Sequence, residues 1–304
     1  MTPQEIVATY AKKIDQLSNQ QLLDLADAYK KMGNNQGAIR IYEFMIQNEK
    51  GNDLPFLGLG RIYWQEKKYN LAVRKFAEAL EKNNKDPQTY IEMGQLILES
   101  KPKNFVEVRM LYEDLVHKFG PKLEYEIKLC ELATLEGQHE LAKKNCEKVL
   151  KKEPQNFSAQ YHLILVFKDT SQWQRADQMA DELLKNPSLT FEQRYQLAMY
   201  FEERGNVVKA LSTIEPHLTN SEASAKSLAK AATWSCSLQN FDPCYEYFRK
   251  ACIQDSKVSI DIRKAMSFIK MTKDPKMIER FELLYHQCFG KKLMTLPAQS
   301  KRKG

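Results

Sequence analysis

Residues 57–64 read Leu-Gly-Leu-Gly-Arg-Ile-Tyr-Trp. Two glycines one residue apart, beside an arginine, could open a loop that cradles phosphate. That chemistry needs a strand before the loop, backbone N–H groups at a helix start, and a third glycine for close helix packing. Tyr63 stands where the third glycine belongs, and no strand-like alternation precedes Leu57. The competing reading is a close contact between helices, made where a side chain has no room. On these residues the packing reading prevails.

Other reactive side chains are as poorly arranged for chemistry. The six cysteines (Cys130, Cys146, Cys236, Cys244, Cys252 and Cys288) form no Cys-x-x-Cys pair, and the five histidines are scattered. His286 and Cys288 are two residues apart, which puts them on different sides of a helix. Reduced, buried thiols are therefore expected, with no metal and no other cofactor. No Gly-x-Ser-x-Gly, His-Glu-x-x-His or P-loop occurs, so neither an enzyme nor a small-molecule substrate is expected.

The elements that position these residues all read as helix. Only 11 Gly and 11 Pro occur in 304 residues, and 43% of the chain is hydrophobic. Apolar residues recur at helical spacing, as Ile6, Tyr10, Ile14 and Leu17 do in the opening segment. Thr2-Pro3-Gln4-Glu5 forms a capping box with proline at the first helical position. No run approaches the roughly 18 apolar residues of a membrane span, and no cleavable leader is evident. A cytosolic setting is the plain expectation.

A repeat runs through the helices. From Ala72, a step of 34 residues back meets Ala38; forward, one 36-residue step gives Val108, then steps of 34 give Ala142, Ala176, Ala210 and Cys244. Aromatic and small residues follow the same steps: Tyr42, Phe76, Tyr112 and Phe248 lie four places later, and Gly60, Cys130 and Ala198 twelve places earlier. The interval is the length of a helical hairpin. The pattern resembles the tetratricopeptide repeat, most fully in residues 53–86 with Phe56, Leu59, Gly60, Tyr63, Tyr69, Ala72, Phe76 and Ala79.

The resemblance implies an all-α, right-handed solenoid of stacked antiparallel helix pairs, covering about nine-tenths of the chain. A capping helix is expected over 1–18. Repeats then follow at 19–52, 53–86, 87–122, 123–156, 157–190, 191–224 and 225–258, with a degenerate unit at 259–290. Its second helix begins at Asp274-Pro275, and a basic flexible tail closes the chain at 291–304. Stacking predicts one continuous array rather than two domains.

Such folds imply a protein-interaction scaffold, with a peptide or helix of a partner held in a groove lined by the first helix of every hairpin. The alternative is a regulator of the same fold that senses a ligand peptide through a change of superhelical pitch. The expected groove residues include Leu57, Arg61, Trp64, Gln95, Glu99, Glu131, Tyr161, Lys168, Tyr195 and Met199. Trp64 is weighed equally as a groove anchor and as packing against the neighbouring repeat. Some relatives grip a terminal carboxylate with asparagines; Asp27 and Gly58 stand at two of those places here, which argues against that site.

Charge is uneven. Residues 1–225 carry 30 Lys+Arg and 32 Asp+Glu, a net −2, whereas 226–304 carry 16 and 7, a net +9. Lys226, Lys230, Arg263, Lys264 and Lys270 form a basic surface suited to an acidic protein partner. Nucleic acid or an anionic surface ranks below, because no aromatic stacking residues are interleaved with these cations. Phe281, Leu284 and Tyr285 are expected to be exposed unless covered, making the C-terminal end a candidate cap or homodimer contact.

Overall fold

The computed structural model describes residues 1–50, 52–83, 85–218 and 223–290. The basic tail from Lys291 onward lies outside these residues. Among the described residues there are seventeen α-helices, three short 3-10 turns and no strand. No helix of the described residues is long and apolar enough to cross a membrane. The chain divides into two compact units, Met1–Ala176 and Asp177–Gly304. The sequence predicts one array; the division falls inside helix α11 (Trp173–Leu184).

In the first unit, α1 (Pro3–Tyr10) starts at the expected capping box: the Thr2 N–H donates to Glu5 Oε2 at 2.8 Å, and the Glu5 N–H donates to Thr2 Oγ1 at 3.3 Å. The helix stops at Tyr10 rather than continuing to Leu17. Ser18 caps α2 (Asn19–Lys31) in a second capping box with Gln21, which requires extended backbone at Ser18 (φ −65, ψ 161). The chain turns through a 3-10 segment, Ile14–Gln16, and buries Leu17 at 8% exposure.

Antiparallel pairs follow: α2 with α3 (Asn35–Gln47), α4 (Leu54–Gln65) with α5 (Tyr69–Lys82), α6 (Pro87–Ser100) with α7 (Phe105–Phe119), and α8 (Leu123–Leu135) with α9 (His139–Lys152). Helix α10 (Phe157–Asp169) packs on α8 and α9. In the second unit, α12 (Phe191–Glu203) pairs with α13 (Val207–Ile214), α14 (Ala225–Ser237) with α15 (Phe241–Gln254), and α16 (Ser259–Lys270) with α17 (Pro275–Phe289).

The backbone itself carries the repeat. A left-handed residue follows seven of the eight first helices, at 33, 67, 137, 171, 205, 239 and 273, with φ between 56° and 75°. At Lys67 and Gln239, as at Gly33, Gly137 and Gly205, the turn is held by a bond from the next N–H across the helix end. Lys68 N–H donates to the Tyr63 carbonyl at 2.8 Å and Asn240 N–H to the Ser235 carbonyl at 2.8 Å. The 36-residue interval lacks this turn: Lys101 has φ −138, and the longer connection 101–104 absorbs the added length.

Gly58 and Gly60 are contacts between helices. A Cβ at Gly58 would lie 2.3 Å from Tyr42 Cζ, and one at Gly60 would lie 3.0 Å from the Phe76 ring. Both rings are buried core residues. Gly58→Ala is therefore expected to cost about 1–3 kcal/mol through overpacking, read as a lower midpoint in urea unfolding with an unchanged slope. An unchanged midpoint would mean that Tyr42 moves aside freely.

The six cysteines depart from the expectation of free thiols. They are buried as expected but bonded in three pairs. Cys130–Cys146 joins α8 to α9, Cys236–Cys244 joins α14 to α15, and Cys252–Cys288 joins α15 to α17. The pairing arises because the small-residue seam between packed helices brings Cα atoms to 4.9, 5.3 and 5.5 Å, within the reach of a disulfide. The C-terminal hairpin also differs from expectation. Phe281 and Leu284 are fully buried, and Phe281 meets the Tyr245 ring edge-on at 5.5 Å. Leu283 and Phe289 are the exposed residues instead.

Candidate functional site

Four of the eight expected groove residues in the first unit, Leu57, Arg61, Trp64 and Glu99, fasten hairpins to one another. Leu57 is 3% exposed and lies in the core with Phe56, Tyr90 and Met93, which corrects its placement in a groove. Helix α4 is apolar around nearly its whole circumference, so a first-helix position that would otherwise face outward is covered as well. Arg61 makes a two-pronged pair with Glu92 at 2.7 and 2.9 Å.

Trp64 takes the packing alternative: its ring meets Phe76 edge-on at 6.3 Å, and its Nε1 donates to Glu99 at 2.6 Å. Glu99 also accepts from the Tyr69 hydroxyl at 2.9 Å, so it too serves the junction between neighbouring hairpins. Gln95 is exposed on α6. Glu131 pairs with Lys128 at 2.8 Å, Tyr161 stacks on Phe157 at 5.7 Å, and Lys168 lies 3.6 Å from Asp169.

His162, next to Tyr161, is half-buried with no hydrogen-bond partner for Nδ1 among the described residues. Burial pulls its pKa below the ordinary 6.5; Glu131 opposes this and Lys128 adds to it. The folded state thus resists a proton that the unfolded chain accepts. Its contribution to stability is complete above about pH 6.5 and declines as pH falls below that value. Thermal midpoints measured from about pH 7 to about pH 5 are expected to fall, and to fall less in His162→Gln. Equal slopes for both proteins would remove His162 from this account.

In the second unit the structure brings predicted residues together. Tyr195 and Met199 on α12 face Ala225, Lys226, Ala229, Lys230 and Thr233 on α14, and Asp255, Lys257, Val258, Asp261 and Lys264 from the 3-10 turn Ser256–Val258 and α16. These enclose a cleft of about 480 Å³. Three successive hairpins each contribute their first helix to it. The two groove candidates here and three of the five basic candidates share one concavity.

The floor is apolar: Ala229 and Val258 are buried, with Met199 and the Tyr195 ring half-buried beside them. Burial raises the Tyr195 hydroxyl's pKa, helped by Glu202 and Glu192, so the group stays protonated and able to donate. Around the floor stand four lysines and two aspartates. Lys230 is tied to Glu202 at 2.8 Å, and the same Glu202 Oε1 accepts from buried Trp234 Nε1 at 2.8 Å. Asp255 accepts the Lys257 backbone N–H at 2.9 Å, and Asp261 lies 3.6 Å from Lys264. Lys226 and Lys257 are exposed and make no ion pair with another described residue.

The far face of α16 carries the remaining candidates. Arg263 and Lys270, with Met266 and Ser267, line a second cleft of about 640 Å³ against Glu282, Tyr285 and His286 of α17. Among the described residues no cluster of His, Cys, Asp and Glu has the makings of a metal site. Sequence reasoning missed Ala229, Thr233, Lys257 and Val258. Ala229 and Thr233 follow the helical spacing of α14 and were readable from it; Lys257 and Val258 lie in an irregular turn that no repeat pattern describes.

This architecture of stacked antiparallel helix pairs is the tetratricopeptide-repeat solenoid fold. No family model matches the chain and no curated protein is similar to it in sequence. Among solved structures, a tetratricopeptide repeat protein from Parabacteroides merdae ATCC 43184 is similar with a TM-score of 0.61 at 16% identity, over 88% of this chain and 98% of that one. PilW, a type IV pilus biogenesis factor, has a TM-score of 0.47 at 18% identity, over 67% and 96%. A thermophilic protein of this fold from Thermus thermophilus has a TM-score of 0.45 at 19% identity, over 62% and 99%. The first of these defines the fold and nothing narrower.

Proposed function

We propose that the chain is a protein-interaction module that holds a peptide or helix of a partner in the cleft between α12, α14 and α16. The observation that carries this reading is the juxtaposition of the Tyr195 ring, Met199 and the small floor residues Ala229 and Val258 inside a lysine rim. Half-buried aromatic and thioether groups beside small residues accept an inserted side chain, and a polar rim sets its orientation. The reading assigns no chemical step to the chain. Disulfides persist in oxidising compartments, so the three buried bridges favour such a setting over the cytosolic one expected from sequence.

Capture of partners from the source cell's lysate tests the reading. A Tyr195→Ala/Met199→Ala variant that keeps its helical circular dichroism is expected to lose partners that the parent protein retains. Retention of the same partners by both proteins would move the binding surface elsewhere.

A further inference from the structure

The geometry points to a particular occupant of the cleft: an acidic segment of a partner protein that places one apolar side chain on the floor and its carboxylates against Lys226, Lys257 and Lys264. This rests on the proposed binding role of the cleft and names the class of partner.

The floor sets the first requirement. Ala225 and Ala229 are adjacent along one face of α14, and Val258 comes from the turn leading into α16. Their small side chains leave a depression beside the Tyr195 ring and Met199. A cleft of about 480 Å³ has room for a residue such as leucine or phenylalanine and a short length of its backbone. The Tyr195 hydroxyl lies beside the floor and can donate to that backbone, whereas the Thr233 hydroxyl donates to the Ala229 carbonyl at 2.9 Å and can only accept.

The rim sets the second requirement. Both aspartates of the lining are engaged within the protein, Asp255 by the turn it caps and Asp261 beside Lys264. Lys230 is likewise engaged by Glu202. What remains for a ligand is positive: Lys226 on the α14 side and Lys257 at the turn, with Lys264 adding a charge partly compensated by Asp261 at 3.6 Å. A basic segment would meet uncompensated like charge on two sides. A neutral segment would leave Lys226 and Lys257 without a counter-charge while excluding their water.

The surroundings reinforce the sign. Arg263 and Lys270 on the far face of α16 add positive charge close by, and residues 226–290 carry 11 Lys+Arg against 7 Asp+Glu, a net +4. Such a field raises the encounter rate of an acidic partner and depends on salt. Nucleic acid would satisfy the charge, but the floor offers one partly buried tyrosine rather than a series of rings on which bases could stack.

Fluorescence anisotropy with the full chain tests this. The probe is a fluorescein-labelled peptide of glutamates interrupted by leucine and phenylalanine. Two controls accompany it: the same peptide with lysine for glutamate, and a single-stranded RNA of equal charge. The acidic peptide is expected to bind, the lysine peptide not to bind, and Lys226→Glu/Lys257→Glu to weaken the acidic peptide about tenfold or more. Arg280→Glu, away from the cleft lining, serves as the charge control and should change binding far less.

Equal binding of acidic and lysine peptides, or no effect of the double reversal, overturns the acidic assignment and leaves the cleft's binding role standing. Binding of the acidic peptide that survives both the double reversal and Tyr195→Ala/Met199→Ala overturns the cleft reading as well. RNA that binds more tightly than the peptide and competes with it for the same lysines replaces a protein partner with nucleic acid. Failure of the acidic peptide to bind at all also overturns the proposal.

Discussion

Phe76→Ala is expected to lower the stability of the first unit by about 3–5 kcal/mol. Phe76 is fully buried; its ring lies against Gly60, which has no side chain to collapse into the space, and against the edge of Trp64 at 6.3 Å. The neighbours that would have to fill the void are Ala72 and Ala79 on the same helix, both fully buried and too short to reach across it. The cavity therefore persists, and the cavity cost adds to the lost transfer free energy. Trp64 would lose its edge contact and with it the orientation in which Nε1 donates to Glu99. Chemical unfolding followed by tryptophan fluorescence should show an early loss of the Trp64 signal. A change below about 1 kcal/mol would mean that the seam repacks, contrary to the close packing described here.

Reduction of the disulfides is expected to have an effect at least as large. Cys252–Cys288 closes a loop spanning a sequence separation of 36 and encloses the whole of α16, the helix that carries Lys264 to the cleft. In the chain-entropy view a loop of that length contributes about 4 kcal/mol by restricting the unfolded chain. Cys130–Cys146 and Cys236–Cys244, with separations of 16 and 8, contribute less. A dithiol reductant should lower the thermal midpoint by on the order of 10 °C. Cys252→Ala/Cys288→Ala should reproduce much of that shift without reductant. Six alkylatable thiols in the unreduced, denatured protein, together with a midpoint indifferent to reductant, would contradict the bonded pairs.

Features governed by local chemistry were legible in the sequence. The capping box at Thr2, the Asp274-Pro275 start of α17, the helical character of every element and the close-packing role of Gly60 all follow from residues near one another in the chain. The features that escaped depend on residues far apart. Arg61 and Glu92 are 31 residues apart and Trp64 and Glu99 are 35 apart, so nothing in the spacing reveals that these polar groups face each other rather than a partner. Leu57 escaped because a helix apolar on nearly all sides has no readable outer face. The cysteine pairs escaped for a related reason. Disulfide-scaffold and Cys-x-x-Cys patterns do not describe thiols that meet across a helical seam, although their core positions were evident.

In the cleft, Tyr195 and Met199 were expected from the groove positions that the repeat resemblance implies, and Lys226, Lys230 and Lys264 from the charge imbalance. That these two sets converge was not legible. It depends on how α12, α14 and α16 lie side by side and on the irregular turn at Ser256–Val258.

Site-specific photo-crosslinking addresses the central claim, that partners are held in this cleft. A photoreactive side chain at Thr233, in the cleft wall, would be compared with one at exposed Met110 on α7, a second helix of the other unit. In the source cell's lysate, crosslinks to a partner protein are predicted from Thr233 and not from Met110. They should disappear when Tyr195→Ala/Met199→Ala is added. Crosslinks formed only from Met110, or from Thr233 regardless of those substitutions, would contradict the account.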